Sequence, residues 1–135
     1  MPATVDVRPF EDSPEATDAL EVARLATTVQ WPSLTDPEVV RRVSTAPGSH
    51  AYVAVVDGAV VAWAQAVGDG VLQSHLSFVA VHPDHRRRGI ARLLVVAVFQ
   101  ATGTKRMDLV TDGAEELYRS FGHKVMTGFR IYPGA

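Results

Sequence analysis

Cysteine is absent from the 135 residues of this chain, and its absence excludes several kinds of chemistry at once. The chain can form no disulfide, offers no thiolate nucleophile and cannot bind zinc or an iron–sulfur cluster through sulfur. Any acyl or phosphoryl chemistry must therefore run without a thiol-bound intermediate on the protein.

Long apolar runs and an excess of basic charge are missing too. The longest apolar stretches, such as residues 59–64, are far too short to cross a bilayer, and the N-terminus does not resemble a signal peptide. Thirteen Lys and Arg against fifteen Asp and Glu give a net charge of -2, which argues against a nucleic-acid-binding protein. With 47% apolar and 21% charged residues, we expect one folded cytoplasmic domain over residues 1–135.

The first half of the chain predicts a strand, two helices and a meander of three strands. Alternating residues at 4–8 indicate the strand, and Ser13-Pro14-Glu15 and Thr35-Asp36-Pro37-Glu38 are typical helix starts. Asp57-Gly58 and Asp69-Gly70 then predict tight turns. They join strands at 51–56, 59–67 and 71–81.

The second half predicts two further helices and two further strands. Residues 89–102 have a helical period and are apolar almost all round, which predicts burial on more than one side. A right-handed parallel crossover is the natural connection to a strand at 107–110, and Asp112-x-x-Glu115 is expected to cap a last helix through Phe121. With a closing strand at 124–132, the prediction is an α/β fold. It has a mixed, mostly antiparallel six-stranded sheet and helices on both faces.

The junction between the third meander strand and the apolar helix has the features of an anion site. The first turn of a helix leaves backbone N–H groups unpaired, and the helix dipole places partial positive charge there. Gly89 and the small Ala91 allow a ligand to approach this backbone, and three consecutive arginines, residues 86–88, add charge complementary to a pyrophosphate.

This junction resembles the GNAT superfamily of acyl-CoA-dependent N-acetyltransferases. The family's hallmark, Arg/Gln-x-x-Gly-x-Gly/Ala, is matched by Arg86-x-x-Gly89-x-Ala91, and Leu117-Tyr118-x-x-x-Gly122 follows about thirty residues later. The resemblance covers residues 51–132. It implies an acyltransferase with acetyl-CoA as co-substrate and no metal. The acetyl group would pass directly, in a ternary complex, to a primary amine of a small molecule or a protein.

The resemblance also implies a role for each matching position. The strand before the motif would offer backbone N–H groups to the pantetheine arm and the thioester carbonyl, here from Val79, Ala80 and Val81. Tyr118 would protonate the departing thiolate, and His75 occupies the place of the glutamate that many relatives use as general base. By strict alternation His75 would share a face with Val79 and Val81, unless a bulge changes the parity. The loop that would wrap the pyrophosphate comprises Arg86, Arg87, Arg88, Gly89, Ile90 and Ala91.

Several alternatives stay open at this stage. The chain could be a non-catalytic acyl-CoA-binding sensor, and the arginine run could bind nucleic acid, although the net charge of -2 argues against this. His75 could be a structural histidine and Tyr118 a core residue. His82 and His85 could suggest a metal, but the turn at Pro83 favours a positioning loop.

Two further features have both a functional and a structural interpretation. Trp31 and Trp63 could line an acceptor pocket or fill the core. The second apolar face of the helix at 89–102 could be a homodimer contact or could pack against the sheet.

Overall fold

A five-stranded mixed sheet forms the centre of the molecule in the computed structural model, which describes residues 3–135. Its strands lie in sequential order, and all neighbours are antiparallel except the last pair, β4 and β5, which are parallel. The parallel pairing agrees with the crossover predicted from the intervening helix. The strands are β1 (Val5–Pro9), β2 (Ser49–Val56), β3 (Ala59–Gly68), β4 (Gln73–Val81) and β5 (Arg106–Asp108).

Helices cover both faces of this sheet, as predicted. The helices α1 and α2 pack on one face and α3 packs on the other. Within residues 3–135, no helix has the length and apolar character that crossing a membrane requires. The four helices are α1 (Asp18–Thr28), α2 (Pro37–Thr45), α3 (Ile90–Thr102) and α4 (Glu115–Arg119), and short 3-10 turns occur at Pro32–Leu34 and Pro83–His85.

The core consists of two layers divided by the sheet. On the α3 face, small residues of β3, including Ala62 and Ala64, let Leu94 and Val98 pack close to the strands. On the other face the large buried side chain is Trp63. The outer side of α3 is more exposed than the sequence predicted, because Leu93 and Val96 are 51% and 38% exposed and only one side of the helix is covered.

Both Asp-Gly turns of the meander form. At the first, Asp57 and Gly58 have φ angles of 50° and 79°, as a type I′ hairpin requires. At the second, the Asp69 carboxylate accepts hydrogen bonds from the backbone N–H groups of Val71, Leu72 and Gln73. Because the N–H groups of Val71 and Leu72 are bound in the turn, these two residues do not join the sheet, and β4 begins at Gln73.

Two predicted helix starts move in the structure. The Ser13 carbonyl accepts the Ala16 N–H in a separate turn, so α1 begins only at Asp18. The last helix was predicted to be capped by Asp112, but it begins after Ala114 without a side-chain cap and ends at Arg119. By contrast, α2 begins where predicted, and Asp36 caps it by accepting the Glu38 N–H at 2.9 Å.

The predicted sixth strand at 124–132 is wrong. No strand is present in this segment of the described chain, and the sheet has five strands. The preceding strand is also shorter than predicted, since β5 ends at Asp108 and not at Val110. Gly128 crosses the Val110 side chain so closely that a Cβ atom at this position would not fit.

Candidate active site

The start of α3 presents a row of free backbone donors. Gly89 precedes the helix with a φ of 75°, and Arg87 has a φ of 63°, so the loop turns sharply before Ile90. Among the described residues, none accepts a hydrogen bond from the backbone N–H groups of residues 87–92. Gly89 has open space where a side chain would be. This is the geometry that the helix-start anion site required.

The three arginines of the loop are exposed but differ in their contacts. Arg86 donates from Nε to the Val81 carbonyl at 3.3 Å, which ties the loop to the end of β4. Arg88 is hydrogen-bonded to His85 Nδ1 at 2.9 Å and donates to the Ala3 carbonyl at 3.1 Å. Within residues 3–135 the Arg87 guanidinium donates no hydrogen bond, so its charge is available to a ligand.

The end of β4 nearest this loop has a strand neighbour on one side only. Val79, Ala80 and Val81 pair with β3, whereas the pairing with β5 involves only residues 73–75 of β4. Beyond His75, the side of β4 that faces β5 is therefore unpaired in the described chain. Residues 79–81 thus have a strand neighbour on the β3 side only, directly before the loop that leads into α3.

A bulge in β4 changes which side chains share a face. Gln65 pairs with Phe78 but Ala66 pairs with Leu76, so Ser77 is an extra residue in the strand. His75 consequently lies on the α1 and α2 face together with Phe78, whereas Val79 packs on the α3 face. The face that strict alternation assigned to His75 is wrong, because the extra residue reverses the parity beyond it.

His75 lies in a cleft of about 440 Å³ that also contains a carboxylate missed by the sequence analysis. Asp108 is the parallel register partner of His75, so the two exposed side chains project from the same face. No ion pair within 4.0 Å joins them in this structure. The strand prediction at 107–110 placed Asp108 correctly on a strand, but only the register identifies its neighbour. The other lining residues are Val67, Gly68, Asp69, Gln73 and Ser74.

Tyr118 is half-buried on α4, against the core cluster of the α3 face. Burial raises the pKa of its phenol, so the hydroxyl keeps its proton at neutral pH. The residues just after it are fixed by Arg92 of α3, which stacks over Phe121 at 4.1 Å and donates to Ser120 Oγ at 2.8 Å. Tyr118 and His75 thus lie on opposite faces of the sheet.

The two tryptophans have different surroundings. Trp63 is 1% exposed and stacks on Phe78 at 5.5 Å, so it is a core residue. Trp31 is only partly buried and meets the same Phe78 at 5.8 Å. Trp31 and Phe78 therefore provide an aromatic wall on the face that carries His75. Phe78 was not singled out from the sequence, and it shares a face with His75 because of the bulge at Ser77.

His82 and His85, beside the arginine run, form hydrogen bonds within the loop. His82 Nδ1 accepts the Asp84 N–H at 3.1 Å, closing the short turn before Arg86. In residues 3–135 no group of three potential metal-binding side chains is present.

A mixed sheet of this topology with helices on both faces is also the fold of a solved N-acetyltransferase. The sequence profile of the acetyltransferase (GNAT) domain matches residues 47–125, and the chain belongs to this family. No curated protein sequence matches the chain significantly.

Solved structures of similar fold agree with this assignment. An aminoglycoside N-acetyltransferase, AAC(6')-Iy, in complex with CoA is 18% identical, with a TM-score of 0.77 over 98% of this chain and 95% of that one. A GNAT-family protein from Xanthomonas campestris is 28% identical, with a TM-score of 0.72 over 99% and 96%. A ribosomal-protein-alanine N-acetyltransferase from Brucella melitensis is 22% identical, with a TM-score of 0.73 over 96% and 99%.

Proposed function

We propose that residues 1–135 act as one N-acetyltransferase domain that moves the acetyl group of acetyl-CoA to a primary amine. The main support for the proposal is that the unpaired side of β4 and the start of α3 adjoin each other. The open side of β4 at Val79–Val81 leads directly into the free N–H groups and arginines at the start of α3. One elongated ligand with an anionic end and an amide-rich arm fits both.

The loop is suited to the pyrophosphate of the co-substrate. Free N–H groups, the helix dipole and the Arg87 guanidinium all attract negative charge, and they do so without a metal. Gly89 leaves room for phosphate oxygens to approach the backbone. The proposed pyrophosphate site comprises Arg86, Arg87, Arg88, Gly89, Ile90 and Ala91.

The unpaired side of β4 is suited to the pantetheine arm and the thioester. Backbone groups of Val79, Ala80 and Val81 on this side have no strand partner, so they can bind the amide groups of the arm as a neighbouring strand would. An N–H directed at the thioester oxygen would stabilise the charge that develops on it during attack. The co-substrate supplies the activated acetyl group, and the protein supplies the alignment.

The proposed acid and base lie on opposite faces of the sheet. His75, on the α1 and α2 face, would accept the proton of the attacking amine directly or through water, with the Asp108 carboxylate beside it. Tyr118, on the α3 face, would protonate the departing thiolate, and burial raises the pKa of its phenol, so the proton is present at neutral pH. With no cysteine to carry the acetyl group, the transfer would be direct, in a ternary complex.

The amine acceptor would bind on the face of His75. Trp31 and Phe78 provide apolar and π surface for an acceptor there. The similar structures include an enzyme bound to a CoA–acetylneamine bisubstrate analogue, so that protein takes an amine acceptor. For this chain the proposal is limited to a small-molecule or protein amine.

A matched pair of variants tests the co-substrate site. Gly89→Asp and Gly89→Asn have nearly the same shape, and both residues tolerate the positive φ better than most. They differ in charge and in one group, a carboxylate oxygen in Asp where Asn has an amide NH2. We expect Gly89→Asp to weaken acetyl-CoA binding about tenfold or more relative to Gly89→Asn in isothermal titration, since its carboxylate would face the pyrophosphate. Equal affinities for the two variants would contradict the proposed site.

Turnover is then measured by thiol release with a panel of primary amines. Because the chain has no cysteine, it contributes no thiol background. Saturable acetyl-CoA binding without turnover on any amine would support the sensor function instead.

A further inference from the structure

The helix that carries Tyr118 has little stability of its own. Helix α4 has five residues, begins after Ala114 without a side-chain cap and contains no fully buried residue. A helix of this length is at best marginally stable alone in water, so its position depends on contacts with the rest of the molecule. Those contacts therefore determine where the Tyr118 hydroxyl lies.

One arginine makes the polar contacts between the α4 segment, residues 111–123, and the rest of the described chain. Arg92, in the first turn of α3, donates from Nη1 to Ser120 Oγ at 2.8 Å, and its guanidinium lies over the Phe121 ring at 4.1 Å. Within residues 3–135, the other hydrogen bonds and ion pairs of the α4 segment have both partners inside it. Arg92 is thus the polar link that joins the α4 segment to α3.

Both residues that Arg92 contacts are hydrogen-bonded to the backbone around Tyr118. The Ser120 hydroxyl donates to the Leu117 carbonyl. The Phe121 N–H donates to the Tyr118 carbonyl at 3.2 Å. The side chains of Phe121 and Tyr118 also pack against the core cluster of the α3 face. A displacement of the Arg92 side chain would therefore disturb the peptide groups on either side of Tyr118.

We propose that Arg92 is a positioning residue for Tyr118, which it holds in place through Ser120 and Phe121. This role rests on the proposed acetyltransferase function, in which the Tyr118 hydroxyl protonates the thiolate. An arginine is suited to the role because its planar guanidinium can stack on a ring and donate a hydrogen bond in its own plane. Helix α3 is a firm base for it, because its buried side packs against the sheet.

A spectroscopic titration tests the proposal without any turnover. Ionised tyrosine absorbs at longer wavelength than neutral tyrosine, and the difference between each protein and its Tyr118→Phe counterpart isolates Tyr118 from the other two tyrosines. Burial raises the pKa of Tyr118. We expect this pKa to fall in Arg92→Met toward the ordinary value of about 10, because water reaches a phenol that is no longer held.

Arg119→Met is the matched control for the titration. Arg119 lies on α4 itself and pairs with Glu115 of the same helix at 3.6 Å, so its loss leaves the link to α3 intact. We expect this variant to titrate as the wild type does. Arg92 is exposed, so Arg92→Met should fold, and circular dichroism establishes this. An unchanged pKa of Tyr118 in folded Arg92→Met, or an equal fall in Arg119→Met, would overturn the proposal.

A double-mutant cycle in kcat distinguishes positioning from direct contact with the co-substrate. We expect Arg92→Met to lower kcat about tenfold, and to lower it no further in the Tyr118→Phe background. Arg92→Lys keeps a cation over Phe121 and should recover most of the loss. Additive effects of Arg92→Met and Tyr118→Phe would overturn the proposal. So would a raised acetyl-CoA dissociation constant with kcat unchanged, since Arg92 would then bind the phosphates. Because the titration needs no substrate, its result is separate from any failure to find turnover.

Discussion

The ion pair between Arg8 and Asp18 makes a strong prediction about stability. The Asp18 carboxylate is 2% exposed and accepts hydrogen bonds from Arg8 at 2.7 and 3.0 Å and from the Glu11 N–H at 2.9 Å. Its hydrogen bond to Arg8 raises the pKa of that guanidinium. These contacts join the end of β1 to the first turn of α1. The substitution Arg8→Met keeps the apolar stem and removes both side-chain donors.

The expected loss in the free energy of unfolding depends on which groups still surround the Asp18 carboxylate in Arg8→Met. Removing one partner of a buried ion pair costs about 3–5 kcal/mol, because the other charge is left uncompensated. The Arg8 side chain is 30% exposed, so water can partly replace it, and the Glu11 N–H stays in place. We therefore expect the lower limit, about 3 kcal/mol, which for a chain of this length corresponds to a melting temperature lower by about 10 °C.

Urea unfolding followed by circular dichroism measures this cost, with two further variants as controls. Asp18→Asn should cost less, about 1–2 kcal/mol, since the exposed side of Arg8 can hydrate and no buried charge is left. In Arg8→Met/Asp18→Leu the free energy of unfolding should recover above that of Arg8→Met alone. A loss below about 1 kcal/mol in Arg8→Met, or additive losses in the double variant, would refute the reasoning.

The remaining predictions concern Tyr118, His75 and Asp108. Tyr118→Phe should lower kcat about 100-fold while the acetyl-CoA dissociation constant stays unchanged, and an unchanged kcat would remove the acid role. Because the pKa of Tyr118 is raised on folding, its contribution to stability is complete below about pH 10 and is lost at higher pH. The free energy of unfolding should therefore fall more steeply there in wild type than in Tyr118→Phe. His75→Gln should lower kcat/KM about 100-fold, and Asp108→Asn should lower it less. Additive effects in the His75→Gln/Asp108→Asn double variant would show that Asp108 does not act through His75.

Local signals in the sequence predicted most of the fold. The Asp57-Gly58 turn requires two positive φ angles, so the dipeptide itself specifies the hairpin. The apolar repeat that follows Gly89 identified α3 to within one residue. The parallel direction of β5 followed from chain connectivity, because a whole helix separates it from β4. The turn and the helix are specified by short stretches of neighbouring residues, and the direction of β5 by the order of the elements along the chain.

The errors arose where a residue's environment depends on a distant strand. The bulge at Ser77 exists only in relation to β3, so the face of His75 could not be obtained from β4 alone. Asp108 becomes a neighbour of His75 through a register that no local pattern specifies. The predicted strand at 124–132 has the right composition, but a strand forms only where an adjacent edge is available.

One short strand accounts for the proposed co-substrate site. A β5 of three residues leaves residues 79–81 of β4 without a strand neighbour on the side that faces β5. If β5 extended along the whole of β4, the backbone groups of Val79–Val81 would be bound to the sheet and unable to bind a substrate. The proposed site thus requires a sheet that is incomplete at this position.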